Sequence, residues 1–181
     1  MRSTAFISIE LNNKIHYTYV SNIFNIRNFI ILISKYSFNK VNRIIMQYPK
    51  IQDIDLNGVK VLNVGNIGGV DVRVVDMVSD LRAVDYVFLF KETGIEYYLN
   101  NRGYERFINL TYKEIMNQYF WAEFTKDNIK QAKSKSLKSE YGFVSMFDAK
   151  KDAHINCEGH KVILVNALTN EYEVIDLCGV V

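Results

Sequence analysis

Val84-Asp85-Tyr86-Val87-Phe88-Leu89-Phe90, continued by Lys91-Glu92-Thr93-Gly94 and Ile95-Glu96-Tyr97-Tyr98-Leu99, decides the fold. After Asp85 the first run is continuously apolar and rich in aromatic and branched side chains. That pattern suits a strand covered on both faces, near the middle of a sheet. Glu92-Thr93-Gly94 supplies a tight turn, and the next run returns as the hairpin partner. A second hairpin opens the chain, where residues 5–11 return as 14–20 through Asn12-Asn13, a pair that tolerates positive φ. A third closes it, with residues 161–166 and 172–177 turned at Thr169-Asn170.

Helices fall in blocks between the hairpins. Ser21 is expected to cap one running to about Ser37, with Ile23, Ile26, Phe29, Ile30 and Ile33 on its apolar face. Asn39 is expected to cap a shorter one through Ile44, Ile45 and Met46, closed by Pro49. Val70, Val72 and Val74 alternate with Asp71 and Arg73, which places the valines on one apolar strand face. Asn100-Asn101-Arg102-Gly103 reads as a turn. Thr111-Tyr112-Lys113-Glu114 has capping-box spacing and predicts a helix carrying Ile115, Met116, Tyr119, Phe120 and Phe124 on one side. The expected architecture is therefore α+β: a mainly antiparallel sheet built from hairpins with inserted helices, in a single domain over 1–181. No glycine-rich nucleotide-binding loop stands between a strand and a helix.

Composition fits that picture. The 181 residues are 49% hydrophobic and 23% charged, with one proline, as expected of a folded domain without long linkers. A net charge of +2 excludes a strongly acidic DNA mimic. Met1-Arg2-Ser3-Thr4 leads into no apolar signal region, and the run at residues 29–33 is far shorter than the ~20 residues a spanning helix needs. The expectation is a soluble, cytoplasmic protein that does not enter a membrane. Two cysteines make no disulfide scaffold.

Chemistry-bearing residues gather near the C-terminus. His154, Cys157, His160 and Cys178 include both cysteines and two of the three histidines. Thiolates and imidazoles suit tetrahedral zinc. A three-residue loop pairing Ala167 with Glu171 would set His160 opposite Cys178, and a one-residue shift would undo it. The spacing matches no standard zinc ribbon or finger, so the set is read as a candidate structural zinc site beside the plainer reading of a space-filling cysteine and solvated histidines. The same residues would also serve as a thiol–imidazole pair (His160 with Cys178, or His154 with Cys157), but nothing nearby marks an activated thiol.

Lys126, Lys130 and Lys133 share a helical spacing, with Lys135 and Lys138 beside them and Tyr119, Trp121, Phe124 and Tyr141 flanking. A basic strip next to aromatic rings would track a phosphate backbone or grip an acidic protein face; its plain alternative is a solvated surface. Lys126, Lys130, Lys133, Lys135, Lys138, Trp121 and Tyr141 are the candidate partner-binding residues. Asp148-Ala149-Lys150 has the spacing of half a metal-dependent nuclease site, without an identifiable second carboxylate. Asp71, Asp76, Asp80 and Asp85 read as a wet strand face. His16 and the tyrosines at 17, 19, 97, 98, 104 and 112 read mainly as sheet packing.

In size, build and lack of catalytic signatures, the chain resembles the small accessory proteins of phages and mobile elements, including anti-CRISPR proteins. The resemblance is one of type and carries no residue over. It implies action by occlusion: a protein or ribonucleoprotein partner, such as a host defence nuclease or its nucleic acid, would be covered and not cleaved. Neither a cofactor nor a catalytic residue is expected on this reading. The competing expectation is a small metal-dependent or thiol enzyme, a nuclease or toxin, working from the C-terminal His/Cys set.

Overall fold

The computed structural model describes residues 3–48, 50–54, 61–64, 73–101, 106–123 and 142–177. They are α+β and gather into two compact units, Met1–Tyr112 and Lys113–Val181, each with its own sheet.

The first unit holds an eight-stranded sheet in the order β4-β3-β2-β1-β6-β7-β8, with β5 also paired to β2. Its strands are β1 (Ser3–Leu11), β2 (Lys14–Ile23), β3 (Lys50–Ile54), β4 (Val61–Val64), β5 (Arg73–Val75), β6 (Tyr86–Lys91), β7 (Gly94–Asn101) and β8 (Arg106–Leu110). Its two long helices are α1 (Ile26–Ser34) and α2 (Phe38–Gln47). Pairing is mainly antiparallel; β1 with β6 and β2 with β3 run parallel. The opening hairpin forms as its sequence requires. Asn12 and Asn13 have φ of 51° and 62°, the left-handed pair of a two-residue turn, and set Leu11 opposite Lys14.

The strand β6 lies between β1 and β7 and is buried from Tyr86 through Phe90. Both of its faces are covered, which explains its unbroken apolarity. On one face Phe88 meets Phe29 of α1 at 5.7 Å between ring centres, and Ser34 at the end of α1 bonds the Tyr97 hydroxyl at 2.9 Å. On the other, Phe6, Ile15, Val87, Leu89 and Tyr98 pack with Leu81 and Val84 from the connection before β6. Asp85, grouped by sequence with a wet acidic face, instead joins β6 to β1. Its carboxylate accepts from the Thr4 backbone N–H at 3.0 Å and the Thr4 hydroxyl at 3.1 Å. Asp76 is tied to Lys14 at 2.8 Å.

Three expectations shift. Ser21 caps no helix: β2 runs on to Ile23 through an irregular pairing that includes Asn22 at φ 59°, and Asn25 is the cap, accepting from the Asn28 N–H. Ser37, expected to end the first helix, caps the second by accepting from the Lys40 N–H, two residues before Asn39. Val74 is 41% exposed, whereas Val75 packs on the core cluster, so the apolar face of β5 is offset by one residue.

Lys91 on β6 lies 2.6 Å from Glu96 on β7 and 3.7 Å from Glu10 on β1. The Tyr98 hydroxyl also donates to Glu96. Burial pushes the Glu96 carboxyl up, but the bonds from Lys91 and Tyr98 and the lysine charge outweigh it and hold it below the ordinary glutamate range. A folded value below the unfolded one contributes stability that is present above the unfolded pKa, about 4.3, and is lost as pH falls through the folded value. The pair is partly exposed, so its contribution is at most about 1 kcal/mol. Urea unfolding should therefore show Glu96→Gln less stable than wild type at neutral pH, with the difference vanishing in acid. A constant offset at all pH values would contradict this.

Candidate functional site

The sequence-derived candidates all fall in the second unit. Its sheet has the order β11-β10-β9, with β9 (Tyr119–Glu123), β10 (Lys161–Asn166) and β11 (Tyr172–Asp176), all antiparallel. The helix α4 (Met146–Asn156) packs on β9 and β10.

The helix expected after Thr111 stops early. The short α3 (Tyr112–Met116) ends where the buried Gln118 side chain donates back to the Ile115 carbonyl at 3.0 Å. Tyr119, Phe120 and Trp121 then lie on a strand and not on one helical face. Phe143 exchanges backbone bonds with Tyr119, and Gly142 donates to the Asn117 side chain at 2.7 Å. Only glycine fits at 142, because a Cβ would stand 2.8 Å from both the Asn117 backbone and the Phe120 ring. The chain thus leaves β9 at Glu123 and comes back beside Tyr119, at the strand's other end, about 13 Å away. Lys126, Lys130, Lys133, Lys135, Lys138 and Tyr141 belong to that insert and lie outside the described residues, as does Phe124.

Trp121 is no free anchor. It is half-buried on β9, opposite Leu164, and its indole N–H donates to Asp152 on α4 at 2.8 Å. The other Asp152 oxygen accepts from Asn156 at 2.7 Å.

The C-terminal set takes separate positions. His154 is exposed in the last turn of α4, Cys157 caps the same helix by donating to the Ala153 carbonyl at 2.9 Å, and His160 is exposed just before β10. Lys161 pairs with Asp176, and the Leu177 N–H reaches the His160 carbonyl at 2.8 Å. His160 therefore stands opposite Leu177 and not Cys178. The cause is the turn. Asn166 accepts at its side chain from Leu168 and at its backbone from Asn170, whose φ is 63°, so four residues and not three separate Asn166 from Glu171. Cys178 lies outside the described residues, and among those described no group of three or more His, Cys, Asp or Glu side chains is placed to hold a metal.

The Cys157 thiol is pushed above its ordinary range by burial, and Glu123 and Glu158 push the same way. Gly159 lets Glu123 approach this turn: a Cβ there would sit 1.8 Å from a carboxylate oxygen. Carboxylates beside a thiol hold it protonated, the reverse of an activated nucleophile. Asp148 and Lys150 both sit on α4, two residues apart and so on different sides, and Lys150 pairs with Glu173 on β11 at 3.4 Å. The half-site spacing therefore does not bring that acid and lysine together.

The chain matches no protein-family model, no curated protein and no solved structure. Among the described residues no helix is long and apolar enough to cross a membrane.

Sequence reasoning missed α4 itself. Its signal was present as Ser145-Met146-Phe147-Asp148, since the Ser145 hydroxyl accepts from the Asp148 N–H at 3.1 Å.

Proposed function

We propose that this chain is a cytoplasmic, non-enzymatic binding protein that covers a macromolecular partner, in the manner of the mobile-element inhibitors it resembles in type, anti-CRISPR proteins among them. The lysines at 126, 130, 133, 135 and 138 form the contact surface, and the partner is an acidic protein face or a ribonucleoprotein. One observation carries this reading. The insert between Glu123 and Gly142 holds five lysines and a single aspartate before Glu140, more positive charge than the whole chain's +2, and both of its ends are pinned to one strand. Charge concentrated on an anchored insert steers encounter with an anionic partner, and neighbouring rings and apolar groups add affinity.

The test compares capture by immobilised wild type and by Lys126→Glu/Lys130→Glu/Lys133→Glu, with and without nuclease treatment of the extract. The variant should stay folded and lose a salt-sensitive partner that wild type retains. Retention of the same partner by both proteins would overturn the assignment of the surface.

A further inference from the structure

Residues 11–52 hold six lysines and arginines and not one aspartate or glutamate, where an average stretch of that length in this chain would hold about four or five acids. The run builds β2, α1, α2 and the start of β3. Of its six cations only Lys14 joins an ion pair among the described residues. The pattern is sharpest on α2. Val41, Ile44 and Ile45 are buried, and Asn39, Arg43 and Gln47 are exposed on the opposite side at i, i+4 and i+8. None of these three side chains has a hydrogen bond or ion pair among the described residues. Lys40 flanks them, its ammonium 4.1 Å from the centre of the Tyr36 ring. Helix stability does not account for this choice of residues. Lys40 stands three residues after the Ser37 cap, where a glutamate would complete a capping box, and its charge opposes the helix dipole. Lys35 and Lys50 are no part of this face: Lys35 caps α1, and Lys50 stands over the Tyr19 ring on the other side of the sheet.

We infer that α2 reads B-form DNA from the major groove, with Asn39, Arg43 and Gln47 at the base edges and Lys40 at a phosphate. A helix about 10–12 Å across fits a groove about 12 Å wide. The three side chains span about 12 Å of helix axis, roughly three to four base pairs at about 3.4 Å each. Arginine pairs bidentately with guanine, and asparagine and glutamine pair with adenine. Chemistry selects this occupant. A second copy of the chain would set cation against cation. A lipid surface needs exposed apolar residues to bury, and the exposed residues of α2 are all polar. A single strand needs rings to stack on, and this face carries none. The major groove of duplex RNA is too deep and narrow to admit side chains. An acidic protein face offers carboxylate acceptors to Arg43 but nothing to the amide oxygens of Asn39 and Gln47. The inference goes beyond the insert reading: it concerns the first unit and needs none of the insert lysines.

The test selects from a library of randomised DNA duplexes on the immobilised full chain. Selection should enrich a core of three or four base pairs in which a guanine stands beside adenines. Arg43→Ala should bind the enriched duplex about tenfold or more weakly and lose the guanine preference. Asn39→Ala/Gln47→Ala should lose a similar factor on the enriched duplex and bind a scrambled duplex as wild type does, since its charge is unchanged. All three positions are exposed and alanine favours a helix, so the variants should match wild type by circular dichroism. Recovery of no preferred sequence, or equal binding of the enriched duplex by wild type and both variants, would overturn the inference. So would finding that the same residues instead serve single-stranded DNA, duplex RNA or phosphatidylserine vesicles. Sequence preference lost by Lys126→Glu/Lys130→Glu/Lys133→Glu and kept by both α2 variants would sink the α2 inference and leave the insert reading standing. Preference lost only by the α2 variants, with the insert variant still capturing its partner, would sink the insert reading alone.

Discussion

Phe88→Ala should destabilise the first unit by about 3–5 kcal/mol, the cost of emptying a fully enclosed aromatic site. Phe88 is completely buried at the middle of β6. Its ring lies 5.7 Å from Phe29, 6.0 Å from Tyr97 and 6.4 Å from Tyr86. The strand carrying it is held by β1 on one side and β7 on the other, so the surroundings cannot collapse to refill the cavity. Phe88→Leu keeps most of the volume and should cost under about 2 kcal/mol. Urea midpoints read both effects. A loss below about 1 kcal/mol for the alanine variant would mean that β6 is not the covered centre of this sheet.

The second large effect is expected in the other unit. Trp121→Ala should cost about 2–3 kcal/mol, less than a fully enclosed tryptophan because this one is half-buried. The substitution removes the ring that lies across from Leu164 and the donor to Asp152. Trp121→Phe should retain most of the packing and lose about 1 kcal/mol for the missing hydrogen bond. Trp121 is the only tryptophan in the chain, so its emission reports this unit directly. Asp152→Ala should change that emission while the far-ultraviolet circular dichroism stays constant. Unchanged emission would mean that the indole does not bond Asp152.

The legible parts of the fold were those written in local chemistry. Asn12-Asn13 and Glu92-Thr93-Gly94 each announce a hairpin turn, the second closing with two residues between Lys91 and Gly94, and the apolar run of β6 announces a strand covered twice. Part of what escaped depended on partners distant in sequence, and part on local patterns that point the wrong way. Ser21 looks like a cap but lies in a strand that β1 keeps extended through an irregularity. Ile115, Met116, Tyr119 and Phe120 have helical spacing, yet pairing with β10 and Phe143 pulls the latter two into a strand. The helix α4 hid because small alanines face inward while Phe147 and Ile155 face outward, so its apolar period points the wrong way. The His160–Cys178 opposition failed by one position of register, the amount set by the Asn166 side chain within the turn. Of the candidate site, the charge of the insert was readable from its lysines. Its attachment at both ends of β9 was not, since that depends on Phe143 finding Tyr119.

The central claim is that location, and not net charge, makes the insert a binding element. The most direct measurement is the salt concentration that elutes the purified chain from heparin, for three proteins: wild type, Lys126→Glu/Lys130→Glu/Lys133→Glu, and a charge-matched control, Lys35→Glu/Lys50→Glu/Lys113→Glu, at exposed positions elsewhere. The account predicts that the insert variant elutes at much lower salt than the control, although both carry the same net charge. Coincident elution of the two variants would contradict it.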